Sequence, residues 1–261
     1  DKIAGLESVN AITGSVKFPN NPGSVGHSLL EIYSGDLTDF DFGSGDFTVE
    51  CWIYAHSSSS RQIFAYRGNN AGNSAAIPFM MEVTATEKPR AFFYNKTDTT
   101  SIEFTGSADV PIEEWFHWAV ARHGTQISGY VNGTQIGTVS ITAGDIVGNT
   151  DAYPSEPIRL GDYRTTGTGF PFNGYISNFR VCVGHAVYKY GQTFTPPTRE
   201  LVVHFTSPGD ESVVLCCQSS GDALKDATGK TIIASASSGS AVPQASTFTP
   251  DVGNDHTHGT V

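Results

Sequence analysis

Two acidic residues near one apolar stretch, Asp46 and Glu50, are the first candidates for chemistry. A retaining glycosidase needs two carboxyl groups about 5–5.5 Å apart, and an inverting one needs about 6.5–9.5 Å. On an extended strand Asp46 and Glu50 share a face, but four residues at ~3.3 Å each separate them by about 13 Å. We therefore interpret Asp46 as a loop residue and Glu50 as an exposed strand residue, and the sequence predicts no enzyme.

Three short segments combine an aromatic ring with planar polar side chains, which is the chemistry of a shallow sugar-binding site. An exposed ring can stack on a sugar, while guanidinium and amide groups can bond to its hydroxyls. We predict that these segments lie on loops and are candidate glycan-binding positions; the alternative is ordinary loop decoration. They are Tyr66-Arg67-Gly68-Asn69-Asn70, Asp162-Tyr163-Arg164 and Tyr94-Asn95.

Histidines suggest two further sites. His117 lies beside Trp118, but no serine or cysteine in the sequence is marked as the nucleophile that a histidine base would activate. We predict that His117 is a hydrogen-bonded histidine within a sheet. Near the C-terminus, His256 and His258 would share one face of an extended chain. Three such pairs in a three-fold fibre could bind an iron ion, and a solvated tail is the alternative.

The composition excludes several kinds of partner. The chain has 261 residues and a formal net charge of −11, with only 15 Lys and Arg residues. These cations are scattered, whereas binding to nucleic acid or to anionic membranes needs them clustered. No run approaches the ~18 apolar residues of a membrane span. We expect no nucleic-acid partner and no membrane partner.

The four cysteines indicate a reducing compartment. Cys51 and Cys182 lie in apolar runs, where a thiol behaves as a small hydrophobic group. Cys216 and Cys217 are neighbours, and neighbours on a strand point to opposite faces, so they are poor partners for each other. Without a C-x-x-C pair a zinc ribbon is not indicated. We predict four reduced thiols in a chain assembled in a cytoplasm.

Short segments in which apolar and polar residues alternate predict β-strands along most of the chain. The segment 47–55 has apolar side chains on both faces, which indicates a central strand. Residues 184–200 form a connector rich in Tyr and Pro, and the texture becomes rich in Ser, Gly and Ala after residue 201. The predicted strands are 14–18, 28–33, 47–55, 61–66, 79–84, 90–94, 101–104, 157–162, 172–183 and 213–217.

The strongest local signal is Val131-Asn132-Gly133-Thr134, because a type I′ hairpin turn needs positive φ at both central residues. Upstream, residues 108–122 fit both an amphipathic helix and a strand. Because the hairpin follows directly, we predict a short turn at 110–114 and then a strand. Such an antiparallel meander predicts an all-β sandwich, and favours a binding protein over an enzyme.

Three segments together resemble the laminin-G-like domains of the concanavalin A-like lectin/glucanase jelly-roll family. They are GSGDFTVECWIYA (43–55), EEWFHWAVARHGTQISGYVNGTQIGT (113–138) and IRLGDYRTTGTGFPFNGYISNFRVCVGHAVY (158–188). The resemblance implies a concanavalin A-like β-sandwich (jelly roll) at residues 14–200, followed by a β-rich C-terminal extension at 201–250 and a tail or linker at 251–261. The Glu-x-Asp-x-x-Glu pattern of the family's glucanases is absent.

The resemblance also implies that Ca²⁺ could bind in loops at the sandwich edge, as in many family members. Oxygen-rich candidates are Asp36, Asp39, Asp41 and Asp162, with Asn149 and Asp151 nearby. None of these loops has an ordered ligand spacing, and solvated turn residues are the alternative. We expect no required cofactor, and Asp39, Asp41 and Asp162 are the candidate ligands if Ca²⁺ binds.

Two later segments, FTPPTREL (194–201) and VVLCCQSS (213–220), resemble the run that follows such domains in virion proteins of marine bacteriophages, notably those of cyanobacteria. This implies a non-enzymatic virion structural protein: a capsid decoration, capsid appendage or tail-fibre component assembled in the host cytoplasm. Its lectin-like module would contact host surface glycans, and its partners would be other virion proteins and further copies of itself in a homo-oligomer. The alternative is a secreted or cell-surface carbohydrate-binding module.

Overall fold

The computed structural model describes residues 7–20, 26–69, 74–141, 144–148, 156–163, 168–204, 212–237 and 241–250. Within these ranges the chain forms 17 strands and two short 3₁₀ helices, Leu37–Phe40 and Ser74–Ala76, and no helix there could span a membrane. The strands are β1 (Glu7–Ala11), β2 (Ser15–Pro19), β3 (Ser28–Tyr33), β4 (Phe47–Ala55), β5 (Gln62–Arg67), β6 (Phe79–Val83), β7 (Pro89–Asn95), β8 (Thr100–Thr105), β9 (Trp115–His123), β10 (Gln126–Val131), β11 (Thr134–Ser140), β12 (Ile158–Leu160), β13 (Asn173–Val183), β14 (Arg199–Leu201), β15 (Ser212–Cys216), β16 (Thr231–Ala236) and β17 (Gln244–Ser246).

Two large antiparallel sheets form the sandwich, which confirms the predicted all-β class and the concanavalin A-like jelly roll. The eight-stranded sheet has the order β11-β10-β9-β4-β13-β2-β17, and β15 pairs with the second half of β13. The seven-stranded sheet has the order β16-β3-β12-β5-β6-β7-β8, and β1 pairs separately with β14. Strands that follow residue 201 therefore contribute to both large sheets.

The region around the Asn-Gly turn folds as the sequence predicts. Asn132 and Gly133 have φ values of +48° and +76°, the signs of a type I′ turn, and the turn joins β10 to β11. β9 begins at Trp115, directly after the predicted turn, so the strand interpretation of this ambiguous segment is confirmed. The predicted central strand is β4, which lies between β9 and β13.

Several short strands in which apolar and polar residues alternate only weakly were not predicted from the sequence. β1 and β14 pair only with each other, while β16 and β17 lie at sheet edges and have largely exposed or half-exposed side chains. The expectation that Cys216 and Cys217 point to opposite faces is wrong. Cys217 has a φ of +64°, which ends the extended backbone and leaves the two Sγ atoms 3.5 Å apart. All four cysteines are thiols in the structure.

The core lies between the two large sheets and is rich in aromatic residues. Phe64 of β5 faces Trp118 of β9 across the sandwich, with their ring centroids 5.1 Å apart. Phe42 stacks on Phe47 at 4.0 Å. Because side chains alternate along a strand, these inward residues leave Glu50, Trp52 and Tyr54 of β4 on the opposite side of the eight-stranded sheet.

Candidate functional site

The expectation that Tyr66, Arg67 and Asn69 lie on an exposed loop is wrong. Tyr66 and Arg67 end β5, and all three residues are at most 3% exposed. The Tyr66 hydroxyl donates to the carbonyl oxygen of Asn69 at 2.9 Å. Arg67 donates to the carbonyl oxygens of Leu37 and Phe40 and pairs with Asp41 at 2.6 Å. These side chains hold residues 37–41 and Asn69 against the end of β5 in the seven-stranded sheet.

The second predicted segment is also buried where it is described. Asp162 is fully buried and accepts hydrogen bonds from the Tyr163 and Phe170 backbone amides while it contacts His27 Nδ1 at 2.6 Å. The Tyr163 ring stacks on Phe170 with centroids 5.9 Å apart. Among the predicted glycan-binding residues that the structure describes, Tyr94 of β7 alone has a half-exposed side chain. Asn70 and Arg164 lie outside the described residues.

The described Ca²⁺ candidates do not fit a cation site. Asp39 accepts hydrogen bonds from Ser34 and from Lys230 Nζ, and Asp41 pairs with Arg67, so ammonium and guanidinium groups already neutralise both. Asp36 instead caps the helix Leu37–Phe40 by accepting from the Thr38 amide. Across the described ranges, no group of three or more His, Cys, Asp or Glu side chains could hold a metal ion. Asn149, Asp151, His256 and His258 lie outside them.

The outer face of the eight-stranded sheet, which points away from the core, has two dissimilar halves on the same three strands. We call them the covered half and the open half. The covered half contains Glu50, His117 and Arg180 from β4, β9 and β13. The open half contains Tyr54, Trp115 and Tyr175, which lie two to five residues away on the same strands, toward the C-terminal end of β4 and the N-terminal ends of β9 and β13.

A strap formed by residues 184–198 crosses the covered half. Its backbone binds side chains of the sheet: Tyr130 donates to the Lys189 carbonyl oxygen at 2.9 Å, and Trp52 Nε1 donates to that of Pro197 at 3.0 Å. The rings of Tyr188 and Phe194 stack at 3.6 Å and lie against Tyr130. The outward side chains of β9 beyond His117 are Ala119 and Ala121, which are small enough for the strap to lie flat on the sheet.

Beneath the strap, Glu50 is the centre of a buried polar network, so its interpretation as an exposed residue is wrong. Arg180 Nε donates to Glu50 Oε1 at 2.8 Å, and Tyr188 donates to Glu50 Oε2 at 2.6 Å. Burial by itself raises the pKa of Glu50, but the Arg180 charge and the His117 hydrogen bond outweigh burial and lower that pKa to about 2. Burial and the adjacent Glu50 charge raise the pKa of Tyr188 well above its ordinary value, so Tyr188 stays a donor.

His117 is a hydrogen-bonded sheet histidine, as the sequence predicts. Its Nε2 lies 3.0 Å from Glu50 Oε2, and its side chain is 1% exposed. The rings of Trp52 and Phe194 pack edge-on against it at 5.5 and 5.9 Å. His117 therefore contributes to the network that fastens the strap, and the strap and the sheet shield it from solvent.

The open half carries an aromatic platform, which we define as Tyr54, Trp115 and Tyr175. The three residues occupy neighbouring strands in the order β9, β4, β13, and Tyr54 is the cross-strand partner of the other two. The Tyr54 ring centroid lies 5.8 Å from that of Trp115 and 5.9 Å from that of Tyr175, with edge-to-face geometry. All three side chains are half-exposed. Three strands of a rigid sheet thus present aromatic surface to solvent.

Charged groups surround the platform. Lys17 Nζ of β2 lies 5.9 Å from the centre of the Tyr175 ring, and His56 Nδ1 lies 2.8 Å from Glu113 Oε2. Desolvation raises the pKa of Glu113, but the hydrogen bonds from His56 and the Ser57 amide, together with the His56 charge, outweigh it, so this pKa is lowered. Desolvation and the hydrogen bond to Glu113 raise the pKa of Tyr54. At neutral pH the rim therefore offers a carboxylate, an ammonium and a phenol.

One further ring lies on the platform, that of Phe248 from the C-terminal segment. Its centroid lies 4.9 Å from those of Tyr54 and Tyr175 and 5.4 Å from that of Trp115. Phe248 follows the edge strand β17, which pairs with β2 beside the platform. Its ring remains 41% exposed.

Sequence reasoning missed the platform because it looked for stacking rings on loops. Each platform residue belongs to a strand and was counted there as one of several apolar positions. A usable signal exists, since Tyr54, Trp115 and Tyr175 lie within the three segments that carry the resemblance, each close to one end of its strand. Recognising them as a cluster still requires the strand register, which a single sequence does not supply.

Comparison with known proteins agrees with this architecture. Residues 33–183 match the family described as the concanavalin A-like lectin/glucanases superfamily. The matched region includes all of β4, β9 and β13, the strands that carry both halves of the outer face. A search of curated proteins finds no significant match.

Two solved structures illustrate the fold. A candidate carbohydrate-binding protein from Bacteroides ovatus ATCC 8483 is 15% identical with a TM-score of 0.51; the alignment covers 90% of this chain and 58% of that protein. The CBM40 module of the Ruminococcus gnavus IT-sialidase, bound to α2,3-sialyllactose, is 17% identical with a TM-score of 0.50. That alignment covers 69% of this chain and 95% of the module. At these identities the likeness establishes the shared fold.

Proposed function

This chain belongs to the concanavalin A-like lectin/glucanase superfamily, and we propose that it is a carbohydrate-binding module whose contact surface is the aromatic platform. The observation that carries the proposal is the row of three half-exposed rings on β9, β4 and β13. Rigid strands hold these rings before any ligand arrives, so binding costs little additional side-chain entropy. A sugar ring could pack its apolar C–H face there while its hydroxyls bond to the rim.

The charges around the platform support a neutral sugar as the ligand. Glu113 and Glu114 are exposed beside Trp115, while Lys17 is the cation on the opposite side. The whole chain carries a formal charge of −11, which would repel a polyanionic glycan. A sugar hydroxyl can donate to the Glu113 carboxylate or to the Tyr54 phenol oxygen, whereas a sugar carboxylate can only accept.

We propose binding without catalysis. Glu113 is the carboxylate that hydrogen-bonds to Tyr54, and its lowered pKa keeps it ionised at neutral pH, where it has no proton to give to a leaving group. Glu50 is fully buried and already holds Arg180, His117 and Tyr188. These two environments support a module that positions a sugar and leaves its bonds intact.

The virion setting that residues 194–201 and 213–220 imply stays a prediction. In such a particle many copies would present many platforms, and multivalency could raise a weak single-site affinity by about 10²–10⁴-fold. A secreted or cell-surface module would use the same platform. The proposal about the platform is therefore independent of where the chain acts.

The test is a glycan array followed by titration calorimetry on the purified full chain. The panel contains neutral oligosaccharides of glucose, galactose and mannose, with 3′-sialyllactose as the acidic arm. We expect a neutral oligosaccharide to bind, and Tyr175→Ala to weaken binding by about two- to tenfold, the value of one aromatic contact of ~0.5–1.5 kcal/mol. Tyr94→Ala is the matched control, because Tyr94 is also half-exposed but lies in the seven-stranded sheet.

Three results would contradict the proposal. If Tyr94→Ala abolishes binding and Tyr175→Ala does not, the site lies at Tyr94, one of the positions that the sequence predicts, and not at the platform. If only 3′-sialyllactose binds, the argument from charge is wrong. If a folded chain binds nothing on the panel, the platform is not a carbohydrate site.

A further inference from the structure

We propose that Phe248 is a built-in competitor for the aromatic platform, so that a glycan binds by displacing the ring of the chain's own C-terminal segment. This inference rests on the proposed function and concerns its regulation. Phe248 belongs to residues 244–250, which contain β17 and continue along the edge of the eight-stranded sheet.

The position of the ring is the first argument. Phe248 lies above Tyr54 and also contacts Trp115 and Tyr175, with three centroid distances between 4.9 and 5.4 Å. A phenyl ring and a pyranose ring are both six-membered, and each presents a face of C–H or π character to an aromatic neighbour. Phe248 therefore occupies the volume in which a stacked sugar would make the same contacts.

The exposure of Phe248 separates it from the rings of the core. Inward residues such as Phe116 and Phe172 are 0% exposed, whereas Phe248 is 41% exposed. A partly exposed ring loses less apolar contact on leaving the platform than a fully buried ring would lose on leaving the core, since the energy of burial scales with the area removed from water. Displacement of Phe248 is thus within the reach of a modest ligand.

The segment that carries Phe248 is anchored by a buried residue on each side, and most of the residues between these anchors are exposed. Pro243 and Pro250 are buried, while Gln244, Ala245 and Thr247 are exposed. β17 forms three residue pairs with β2, and the Ser15 hydroxyl donates to the Phe248 carbonyl oxygen at 2.5 Å. Residues 247–249 could therefore move away from the platform with the Phe248 ring, while the buried flanking prolines keep the segment attached.

The indole of Trp115 supplies an independent observation. Its Nε1–H is shielded from solvent and has no hydrogen-bond acceptor among the described residues. A shielded donor without a partner destabilises the state that contains it. The phenyl ring of Phe248, which lies against this indole, cannot accept a conventional hydrogen bond, whereas a sugar hydroxyl can. With Phe248 in place, the indole donor of the platform therefore has no acceptor. This is expected if Phe248 occupies the position that a sugar would take.

The test compares Phe248→Ala with Val242→Ala in the full chain, using the neutral oligosaccharides of the array. Val242 is the matched control, because it is a similarly exposed apolar residue just before β17. We expect Phe248→Ala to bind about three- to tenfold more tightly than wild type, because the competent state no longer requires displacement of the ring. Val242→Ala should bind as wild type does.

Hydrogen exchange gives a readout that does not depend on the variants. Adding the bound oligosaccharide to wild-type protein should increase amide exchange in residues 247–249 and leave β4 and β9 unchanged. Equal affinity of wild type and Phe248→Ala would overturn the inference, and weaker binding by Phe248→Ala would show that the ring is part of the site. If neither protein binds any oligosaccharide, the proposed function fails, and the competitor fails with it.

Discussion

The covered and open halves of the outer face differ sharply although the same three strands build them. Glu50 and Tyr54 lie on one strand and point to one side, yet Glu50 is fully buried and Tyr54 is half-exposed. The usual trend would bury the aromatic residue and expose the charged one. Here the strap of residues 184–198 reverses it, because it covers the charged half of the face and ends before the aromatic half.

This difference shows that side-chain type alone does not determine whether a residue of the outer face is buried. Ala119 and Ala121 leave room for the strap over one half, and Glu50 binds it through Tyr188. Over the other half the bulky rings of Trp115 and Tyr175 stand beside Tyr54, and Phe248 packs on them. The covered half therefore stabilises the domain, and we assign binding to the open half. The following predictions test this division.

The largest effect should come from Glu50→Gln. This change leaves the Arg180 guanidinium buried without its counter-charge, and breaking a buried pair in this way typically costs about 3–5 kcal/mol. Urea denaturation of the variant measures the free energy of unfolding. Glu114→Gln, at an exposed carboxylate beside the platform, is the control and should stay within about 0.5 kcal/mol of wild type. Equal losses in the two variants would remove the distinction between the halves.

Lowering the pH should also destabilise the covered half, because it protonates the same Glu50 carboxylate. The pKa of Glu50 is about 2 in the folded protein, against an ordinary value of 4.5. Because folding lowers this pKa, the stabilisation is fully present above about pH 4.5 and is lost as the pH falls toward 2. Urea midpoints measured across this range should fall more steeply for wild type than for Glu50→Gln. Parallel curves would mean that Glu50 is not the group that titrates.

Two tyrosines form a matched pair for a smaller effect. Tyr188→Phe removes a hydrogen bond to the buried Glu50 carboxylate, and bonds to charged groups contribute about 1.5–3 kcal/mol. Tyr175→Phe removes a hydroxyl from the open half, where water can replace its partners, and should change stability by less than about 0.5 kcal/mol. Thermal and urea unfolding of both variants make the comparison. A Tyr175→Phe loss as large as that of Tyr188→Phe would contradict it.

The smallest expected effect is a difference in stability between alanine variants of two glycines in tight turns. Gly133 and Gly124 both have positive φ, so alanine strains the backbone at either position. A Cβ on Gly133 would also lie 1.7 Å from the Phe194 carbonyl oxygen of the strap, whereas a Cβ on Gly124 meets nothing within 4 Å. We expect Gly133→Ala to cost about 1–3 kcal/mol more than Gly124→Ala, the usual range for overpacking. Similar losses would show that the strap yields freely at this point.

Much of the sandwich could be predicted from local patterns. The segment 47–55 predicted β4 with its observed bounds, and 28–33 did the same for β3. The Asn-Gly turn fixed the β10–β11 hairpin because few other residue pairs tolerate two positive φ values. β16 and β17 were missed, since a short edge strand with polar side chains carries little periodic signal.

The candidate site could be predicted far less well. Tyr66 and Arg67 have the residue types of a sugar-binding loop, but β5 extends to Arg67, and residues 37–41 and Asn69 pack over its end. Asp162 has the type of a metal ligand, but His27 and two backbone amides take its oxygens. Residue type states which bonds a side chain can form, and only its neighbours decide which bonds it does form.

The sequence by itself determined the all-β class, the central position of β4 and the tight turn at Asn132 and Gly133, because alternation and backbone sterics act over a few residues. Only the tertiary structure decided which half of the outer face is buried. The strap that covers Glu50 comes from residues 184–198, and the ring on the platform comes from residue 248, so both contacts join positions more than 70 residues apart. Such contacts depend on strand register and chain path, and neither leaves a local pattern to read.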